Sequence, residues 1–236
     1  MKVLEYTAVE RLACPRPVDK LDWVTELCRD KRVLDLGAYD ETAVELKEGT
    51  GWWLHGRLFE VARWVVGVDN SPLLPADGLE TSARSRIVPG DILQLEAVPL
   101  GESPDVVVAG ELIEHVPDPV AFLQGLSGDP RFAGATAVIT TPNASAFYNF
   151  LLGFFGREST HHDHVAIHSY KTLNTLCRKA GLVDWQLTPY HARFSEMVLR
   201  SSKPARMGVL GFERFVNTVE TAFPLLSGGW ILTFPL

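Results

Sequence analysis

Short runs of apolar, β-branched residues recur along the chain and alternate with segments of helical periodicity. Residues 32–37 (RVLDLG), 64–69 (WVVGVD) and 105–109 (DVVVA) are nearly continuous apolar runs, as is typical of strands buried on both faces. Alternation of such strands with helices indicates an α/β fold with a parallel sheet. Four further runs extend the series, at residues 86–92, 135–141, 183–187 and 229–234.

Apolar residues spaced three and four apart predict the helices between these strands. Ser169 is a suitable N-cap for one of them and Gly181 ends it, while Pro119 fits the first turn of another. We expect one domain over residues 1–236, with a helical insertion at about 203–226 before the last strand. The predicted helical segments are residues 18–27, 51–62, 119–126, 169–180 and 212–223.

Composition narrows the class of protein. Hydrophobic residues make up 46% of the 236 and charged residues 22%, which are ordinary values for a globular protein. The balance of 22 basic and 29 acidic residues gives a net charge of −7, which disfavours a broad nucleic-acid surface. The sequence shows no signal peptide and no membrane-spanning segment, and its three cysteines form no CxxC pair. We therefore expect a cytoplasmic protein that does not bind membranes, with oligomerisation left open.

The turn after the first predicted strand (DLGAYDE, residues 35–41) contains a single glycine, Gly37. The dinucleotide fingerprint needs three glycines so that backbone amides can approach a pyrophosphate. Carboxylates at Asp35, Asp40 and Glu41 would also repel phosphates. The turn therefore favours a cationic ligand without phosphate, such as S-adenosylmethionine, over NAD or ATP.

Two further carboxylates stand at the ends of the next strands. Asp69 ends the second strand, a position from which a carboxylate accepts hydrogen bonds from both hydroxyls of a ribose. Asp91 follows the third strand. It could accept a hydrogen bond from the amino group of an adenine, or its role could be limited to capping the following turn. Three acids at three successive strand ends favour a ligand at this edge of the sheet.

At this point the chain resembles the class I S-adenosylmethionine-dependent methyltransferases. The matching segments, in the family's order, are RVLDLGAYD, VVGVDNS, PGDILQ, DVVVAGELIEHVPDP and VITTPN. The resemblance implies a Rossmann-like seven-stranded sheet, mostly parallel with an antiparallel last strand and with helices on both faces. It also implies a cofactor-binding set made up of Asp35, Gly37, Ala38, Tyr39, Asp69, Asn70, Asp91, Ile92, Gly110 and Glu111.

Glu111, Glu114 and His115 are followed downstream by a histidine-rich loop that includes His164. These residues allow three interpretations: a structural role, general-base catalysis by His115 or His164, or a divalent metal site (Mg²⁺ or Mn²⁺) formed by Glu111, Glu114, His115 and His164. The ExxEH segment with a later histidine resembles the small-RNA 3′-terminal 2′-O-methyltransferases. The same segment also occurs in metal-free small-molecule enzymes of the superfamily, so all three interpretations stay open.

Residues 147–155 (FYNFLLGFF) are crowded with aromatic and aliphatic side chains. They predict either a core helix or a lid over the acceptor, because this position faces the substrate in the resembling family. The helix around residues 212–223 could cover the same pocket or pair with another subunit.

We expect S-adenosylmethionine-dependent O-methylation of a small-molecule or sugar hydroxyl. The alternatives are a metal-dependent RNA 2′-O-methyltransferase and a non-catalytic nucleotide-binding protein of the same fold. Methylation of nitrogen or carbon also stays open, because no motif specifies the acceptor atom.

Overall fold

A computed structural model describes residues 4–40, 46, 47 and 49–236, which contain an eight-stranded sheet with the order β3-β4-β2-β1-β5-β6-β8-β7. The predicted turn residue Glu41 lies outside the described residues. The strands are β1 (Arg32–Leu36), β2 (Trp64–Asp69), β3 (Leu79–Ser82), β4 (Ser85–Pro89), β5 (Val106–Gly110), β6 (Thr136–Pro142), β7 (Gln186–Tyr190) and β8 (Gly229–Pro235).

The centre of the sheet is parallel. Strand β1 pairs in parallel with β2 and β5, β2 with β4, and β5 with β6, whereas β8 inserts antiparallel between β6 and β7. The expected mostly parallel sheet with an antiparallel last strand is therefore confirmed. The sheet has one strand more than the expected seven, because β3 forms an antiparallel hairpin with β4.

The edge strand β7 begins three residues later than predicted and contains Pro189. A proline cannot donate to a strand ladder, so it is confined to edge strands and irregular positions. On the open side of β7, the Pro189 carbonyl accepts a hydrogen bond from the Val18 amide (3.0 Å). The segment before the first helix is thereby tied to the edge of the sheet.

Helices cover both faces of the sheet because successive strand residues point to opposite sides. In β1, Val33 packs into one apolar cluster with α1 and α2, while Leu34 packs into the other with α3 and α5. The helices are α1 (Lys20–Leu27), α2 (Leu54–Val61), α3 (Pro119–Gly128), α4 (Phe147–Phe154), α5 (Tyr170–Ala180), α6 (Ser195–Arg200) and α7 (Lys203–Ala222).

Local sequence signals account for several helix ends. Ser169 and Thr172 form a reciprocal capping box at the start of α5, and Gly181 ends that helix with φ +77°. Asp118 caps α3 by accepting from the Ala121 amide (3.0 Å), with Pro119 in the first turn. These two predicted helices therefore begin and end as their sequences indicate.

Helices α4 and α7 bear on two further expectations from the sequence. Helix α4 has no fully buried residue, so the core-helix interpretation is wrong. Helix α7 lies where the insertion is predicted, and a short 3₁₀ turn (Pro224–Leu226) joins it to β8. In the described part of the chain, no helix is both long and apolar enough to cross a membrane.

Candidate functional site

The turn after β1 holds Gly37 in the left-handed region, with φ +74°. Its amide donates to the Val68 carbonyl in β2 (2.9 Å). A Cβ atom at this position would lie 3.1 Å from Cδ1 of Leu112, so a side chain here would be both strained and crowded. The glycine lets the backbone bend closely over the end of the sheet, where the cofactor is expected.

Asp69 joins the turn after β1 to the turn after β2. Its Oδ2 accepts from the Tyr39 amide (2.9 Å) and its Oδ1 from the Ser71 amide (2.8 Å). Burial raises the pKa of Asp69 above its ordinary value, although these backbone donors act in the opposite direction. The structure therefore holds this carboxylate in place at the predicted ribose position.

The structure corrects the expectation for Asp35. Its buried carboxylate lies 2.9 Å from Nδ1 of the buried His55, and Nε2 of His55 lies 3.1 Å from Thr81 Oγ1 and 3.0 Å from Ser85 Oγ. Asp35 is thus directed to a buried network between β1, α2 and the β3–β4 hairpin, not to the ligand side of the turn. His55 is 20 residues away in sequence, so no local motif predicted this pairing.

Two residues of the first turn face the protein rather than solvent. Ala38 is buried in a small apolar cluster, and its carbonyl accepts from Trp53 Nε1 (3.3 Å). Tyr39 is half-buried and packs against the same cluster. Their expected cofactor contacts would therefore come from the backbone of the turn and from the exposed part of Tyr39.

The remaining predicted cofactor residues lie at the same edge of the sheet. Asp91 Oδ1 accepts from the Leu93 amide (2.8 Å), which is the capping interaction, while the residue as a whole stays half-exposed. Ile92 is half-buried against the main core and Asn70 is exposed. At Gly110 a Cβ atom would lie 2.6 Å from Leu54 Cδ2, so only glycine fits beside α2 without movement.

Glu111 directly follows β5 and has a positive φ of 51°, an uncommon conformation for this residue type. Its Oε1 accepts from Thr140 Oγ1 (2.8 Å) and from the Tyr190 hydroxyl (2.9 Å), and it lies 3.2 Å from Lys20 Nζ. Burial raises the pKa of Glu111, but the Lys20 charge and the two hydroxyl donors outweigh it, and the net direction is downward. Glu111 is therefore held as a carboxylate.

Glu114 has the opposite environment three residues later. It is fully buried, and among the residues that the structure describes neither carboxylate oxygen has a hydrogen-bond partner. Burial and the nearby Glu111 charge raise the pKa of Glu114 to about 8. An unpaired buried carboxylate is costly, so this position needs a proton or a cation.

His115 and His164 meet beside Glu114. Their rings are 4.6 Å apart between centroids and nearly perpendicular, and the His164 loop is held by a hydrogen bond from the Val165 amide to the Glu114 carbonyl (2.9 Å). Burial lowers the pKa of both imidazoles below the ordinary histidine value. The buried Nδ1 of His164 has no partner within the described residues.

The structure brings together three of the four predicted metal ligands. Glu114, His115 and His164 each offer a ligand atom, and these atoms lie within 4.8 Å of one another. Glu111 is not part of this group, because Lys20 and Tyr190 engage its carboxylate. Imidazole and carboxylate donors suit several divalent ions. The partnerless oxygens of Glu114 are the kind of group that a cation would satisfy.

The other histidines of the loop have different surroundings. His161 and His162 are exposed and form a second group of potential ligands with Asp163. His168 is buried, and its carbonyl accepts from the Ala144 amide (3.0 Å), which fastens the end of the loop next to β6.

Three residues of the site were missed by sequence reasoning: Lys20, Thr140 and Tyr190. Lys20 lies in α1 and Tyr190 ends the edge strand β7, so each comes from a part of the chain far from Glu111. Thr140 lies in the VITTPN segment that was noted, and its position at the end of β6 was the available signal.

The comparisons with known proteins agree with this geometry. The family model described as a methyltransferase domain (Methyltransf_23) matches residues 9–187, which is more than half of the chain. The chain therefore belongs to this methyltransferase family. It is an S-adenosylmethionine-dependent methyltransferase, as the strand-end acids and the order of motifs predicted. No curated protein matches the sequence at a significant level.

Solved structures show the same fold at low sequence identity. A methyltransferase of Thermotoga maritima is 16% identical with a TM-score of 0.51. The match spans 91% of this chain and 86% of that protein. The small RNA methyltransferase HEN1 is 15% identical with a TM-score of 0.54, and 97% of this chain covers 27% of HEN1. The [4+2]-cyclase SpnF is 17% identical with a TM-score of 0.50, over 91% of this chain and 79% of SpnF. Such different proteins share the fold alone, so the acceptor must be argued from the site.

Proposed function

We propose that this methyltransferase transfers the methyl group of S-adenosylmethionine to a hydroxyl of a small molecule or sugar. The observation that carries the proposal is the His115–His164 pair: the two rings lie 4.6 Å apart, and His115 ends the short 3₁₀ turn after β5, the segment expected to flank the sulfonium. Because burial lowers the pKa of both imidazoles, both are neutral bases near pH 7.

The residues fit the proposed cofactor. S-adenosylmethionine carries an ammonium and a sulfonium. Asp69 presents its carboxylate at the backbone turn that contains Gly37, and Glu111 presents a second carboxylate directly after β5. Asp69 is fixed by two backbone amides and keeps lone pairs for ribose hydroxyls. When bound, the cofactor supplies an electrophilic methyl group on a positively charged sulfur.

The transfer needs little from the protein beyond alignment and a base. The acceptor's hydroxyl oxygen would form a bond to the methyl carbon as the carbon–sulfur bond breaks. The electron pair of the broken bond would stay on sulfur, which leaves as a neutral thioether. The hydroxyl proton passes to an imidazole, for which His115 ranks first and His164 second. In-line alignment provides most of the acceleration, and a base adds roughly 10²–10⁴-fold.

The test is methyl transfer from labelled S-adenosylmethionine to a panel of phenols, polyols and sugars, with matched amines and RNA oligonucleotides as competitors. We expect S-adenosylhomocysteine to accumulate with a hydroxyl acceptor and the label to be recovered as an ether. Labelled amines or carbon-methylated products without ethers would contradict the proposal.

A second candidate is metal-dependent RNA 2′-O-methylation, and the group of Glu114, His115 and His164 within 4.8 Å favours it. The Glu114 oxygens and His164 Nδ1 lack partners in the described structure, so a divalent cation fits these donors. A bound Mg²⁺ or Mn²⁺ would act as a Lewis acid toward an acceptor oxygen. The net charge of −7 weighs against RNA and keeps this candidate second.

Chelation separates the two candidates. Full turnover of a small hydroxyl acceptor in excess chelator would exclude the metal-dependent candidate. Loss of turnover that Mg²⁺ or Mn²⁺ restores, together with salt-dependent transfer to RNA, would make it the leading one.

We also propose that the protein acts in a reducing compartment such as the cytoplasm, because Cys14, Cys28 and Cys177 are all free thiols.

A further inference from the structure

Helix α7 is unusual in what it buries. Its fully covered positions are Glu213, Val216 and Glu220, at i, i+3 and i+7. Glu213 accepts from Arg193 Nη1 (3.0 Å) and Glu220 lies 3.0 Å from His191 Nδ1, so both carboxylates are used inside the protein. The helix thus turns its acidic side inward.

The outward side of α7 is apolar and basic. Lys203, Met207, Leu210 and Arg214 follow one another at i, i+4, i+7 and i+11, and all four are exposed, with Met207 at 77%. A soluble helix normally places apolar side chains inward and charged side chains outward. Exposed apolar positions bordered by cations are the pattern of helices that lie in a membrane interface.

Helix α4 extends this surface. The two helices meet where the Phe147 and Phe215 rings pack edge to face, with centroids 6.0 Å apart. Helix α4 contains no charged residue, and the aromatic side chains at its end, Phe154 and Phe155, are 73% and 77% exposed. Exposed aromatic groups at this density mark an interaction surface.

The charges around these helices point to an anionic partner. Of the three acids between residues 195 and 223, Glu213 and Glu220 are buried, and the exposed Glu196 pairs with Lys47 (3.2 Å). The four cations of the same stretch form no ion pair within the described chain: Arg200, Lys203, Arg206 and Arg214. They form a basic surface on a protein whose net charge is −7.

We propose that the exposed sides of α4 and α7 form a docking face for an anionic lipid surface. Phe154, Phe155, Met207 and Leu210 enter the interface while the basic residues of α7 contact lipid headgroups. Repulsion between the acidic remainder of the protein and the same lipids orients this face toward the membrane. A second copy of the chain fits less well, because pairing this face with itself would bring its cations together.

This docking departs from the sequence expectation that the protein does not bind membranes. That expectation was drawn from the absence of a spanning segment, whereas a helix can lie on a bilayer without crossing it. The inference does not depend on the identity of the acceptor.

The test is flotation of the full chain with phosphatidylcholine vesicles that contain or lack phosphatidylglycerol. We expect binding to the anionic vesicles alone, and weaker binding as salt increases. The double variant Phe154→Glu, Phe155→Glu should lose binding, whereas Val183→Glu, at a position 67% exposed elsewhere, should retain it. Neutralising Lys203 and Arg214 to Gln should weaken binding about 25-fold, since one cation near such a surface contributes about fivefold.

The matched control for the charges is Lys179→Gln, an exposed cation at the end of α5, which should leave binding unchanged. All these positions are exposed, so thermal unfolding should match that of the wild type and report that each variant folds. Equal binding to both kinds of vesicle, or none to either, would overturn the proposal. So would a dimer in sedimentation that the Phe154 and Phe155 substitutions dissociate while vesicles bind no protein.

Discussion

Among the residues that the structure describes, buried polar groups on the cofactor side of the sheet edge have hydrogen-bond partners, whereas some on the acceptor side do not. On the cofactor side, Asp69 accepts from two backbone amides, and Asp35 is paired with His55. On the acceptor side, the Glu114 carboxylate and His164 Nδ1 have no hydrogen-bond partner among the described residues. The cofactor side is thus complete within the protein, whereas the acceptor side holds groups that a proton, a cation or a substrate would satisfy.

The same contrast occurs inside one short segment. Glu111 and Glu114 are three residues apart, yet the pKa of Glu111 is lowered and that of Glu114 is raised to about 8. Both are penalised by burial, but only Glu111 has Lys20 as a counter-charge at 3.2 Å. Lys20 from α1, together with the Thr140 and Tyr190 hydroxyls, therefore holds Glu111 as a carboxylate, whereas the pKa of Glu114 is raised to about 8.

The largest effect is expected on the acceptor side. His115→Ala should lower kcat by about 10²–10⁴ because the base is removed, while calorimetry should show unchanged S-adenosylmethionine affinity. The wild-type rate should rise with pH below about 6.5, since burial lowers the imidazole pKa and the neutral form is active. His162→Ala, at an 81% exposed side chain, is the matched control and should be near wild type.

Normal kcat in both His115→Ala and His164→Ala, together with a flat pH profile, would leave alignment alone as the source of catalysis. The difference in hydrogen bonding between the cofactor side and the acceptor side would then have no catalytic consequence.

The second effect is on stability and follows from Glu114. Its folded pKa of about 8 lies above the ordinary value, so the folded protein binds a proton that the unfolded chain releases. This contribution is fully present below about pH 4.5 and is lost as pH rises to about 8, at up to about 1 kcal/mol per pH unit. Urea unfolding in chelator should show this fall, and Glu114→Gln should flatten it.

The exposed Glu60→Gln is the control and should keep the wild-type slope. Such groups titrate roughly between pH 5 and 8. If the free energy of unfolding of the wild type in chelator did not change over this range, Glu114 would have a partner in solution.

The third effect concerns the cofactor side. Asp69→Ala should weaken S-adenosylmethionine binding by about 1.5–3 kcal/mol, because charge-assisted hydrogen bonds to the ribose and the anchoring of the Tyr39 and Ser71 amides are both lost. Calorimetry measures the change, with the exposed Asp77→Ala as the control. Unchanged affinity in a folded Asp69 variant would remove the ribose assignment.

The smallest effect tests the link between the two sides. Tyr190→Phe removes the hydroxyl that donates to Glu111 (2.9 Å) and should destabilise the fold by about 1.5 kcal/mol in urea unfolding. It should also raise the pKa of Glu111 toward its ordinary value. Tyr6→Phe, near the exposed start of the described chain, should change stability little. Equal effects of the two substitutions would show that the Glu111 contact is weak.

Local patterns were enough to predict seven of the eight described strands, Pro119 in the first turn of α3, the two ends of α5, and the glycine turn after β1. Each depends on neighbouring residues: apolar runs form buried strands, Ser169 and Gly181 bound a helix, and only glycine adopts that turn without strain. The methyltransferase class was implied by the resemblance of five segments, from RVLDLGAYD to VITTPN, while the acids at successive strand ends predicted a ligand at that edge of the sheet.

The tertiary structure determined the pairings that the local sequence pattern does not predict. The β3 strand forms because residues 79–82 pair with β4, although their own sequence (LETS) has little strand character. Asp35 pairs with His55 inside the protein, and Lys20 engages Glu111, which is not among the grouped metal-ligand candidates. In α7 the carboxylates of Glu213 and Glu220 turn inward because Arg193 and His191 lie beneath them. For these charged residues the partner is distant in sequence, and a charge is buried or exposed according to the partner that the fold places beside it.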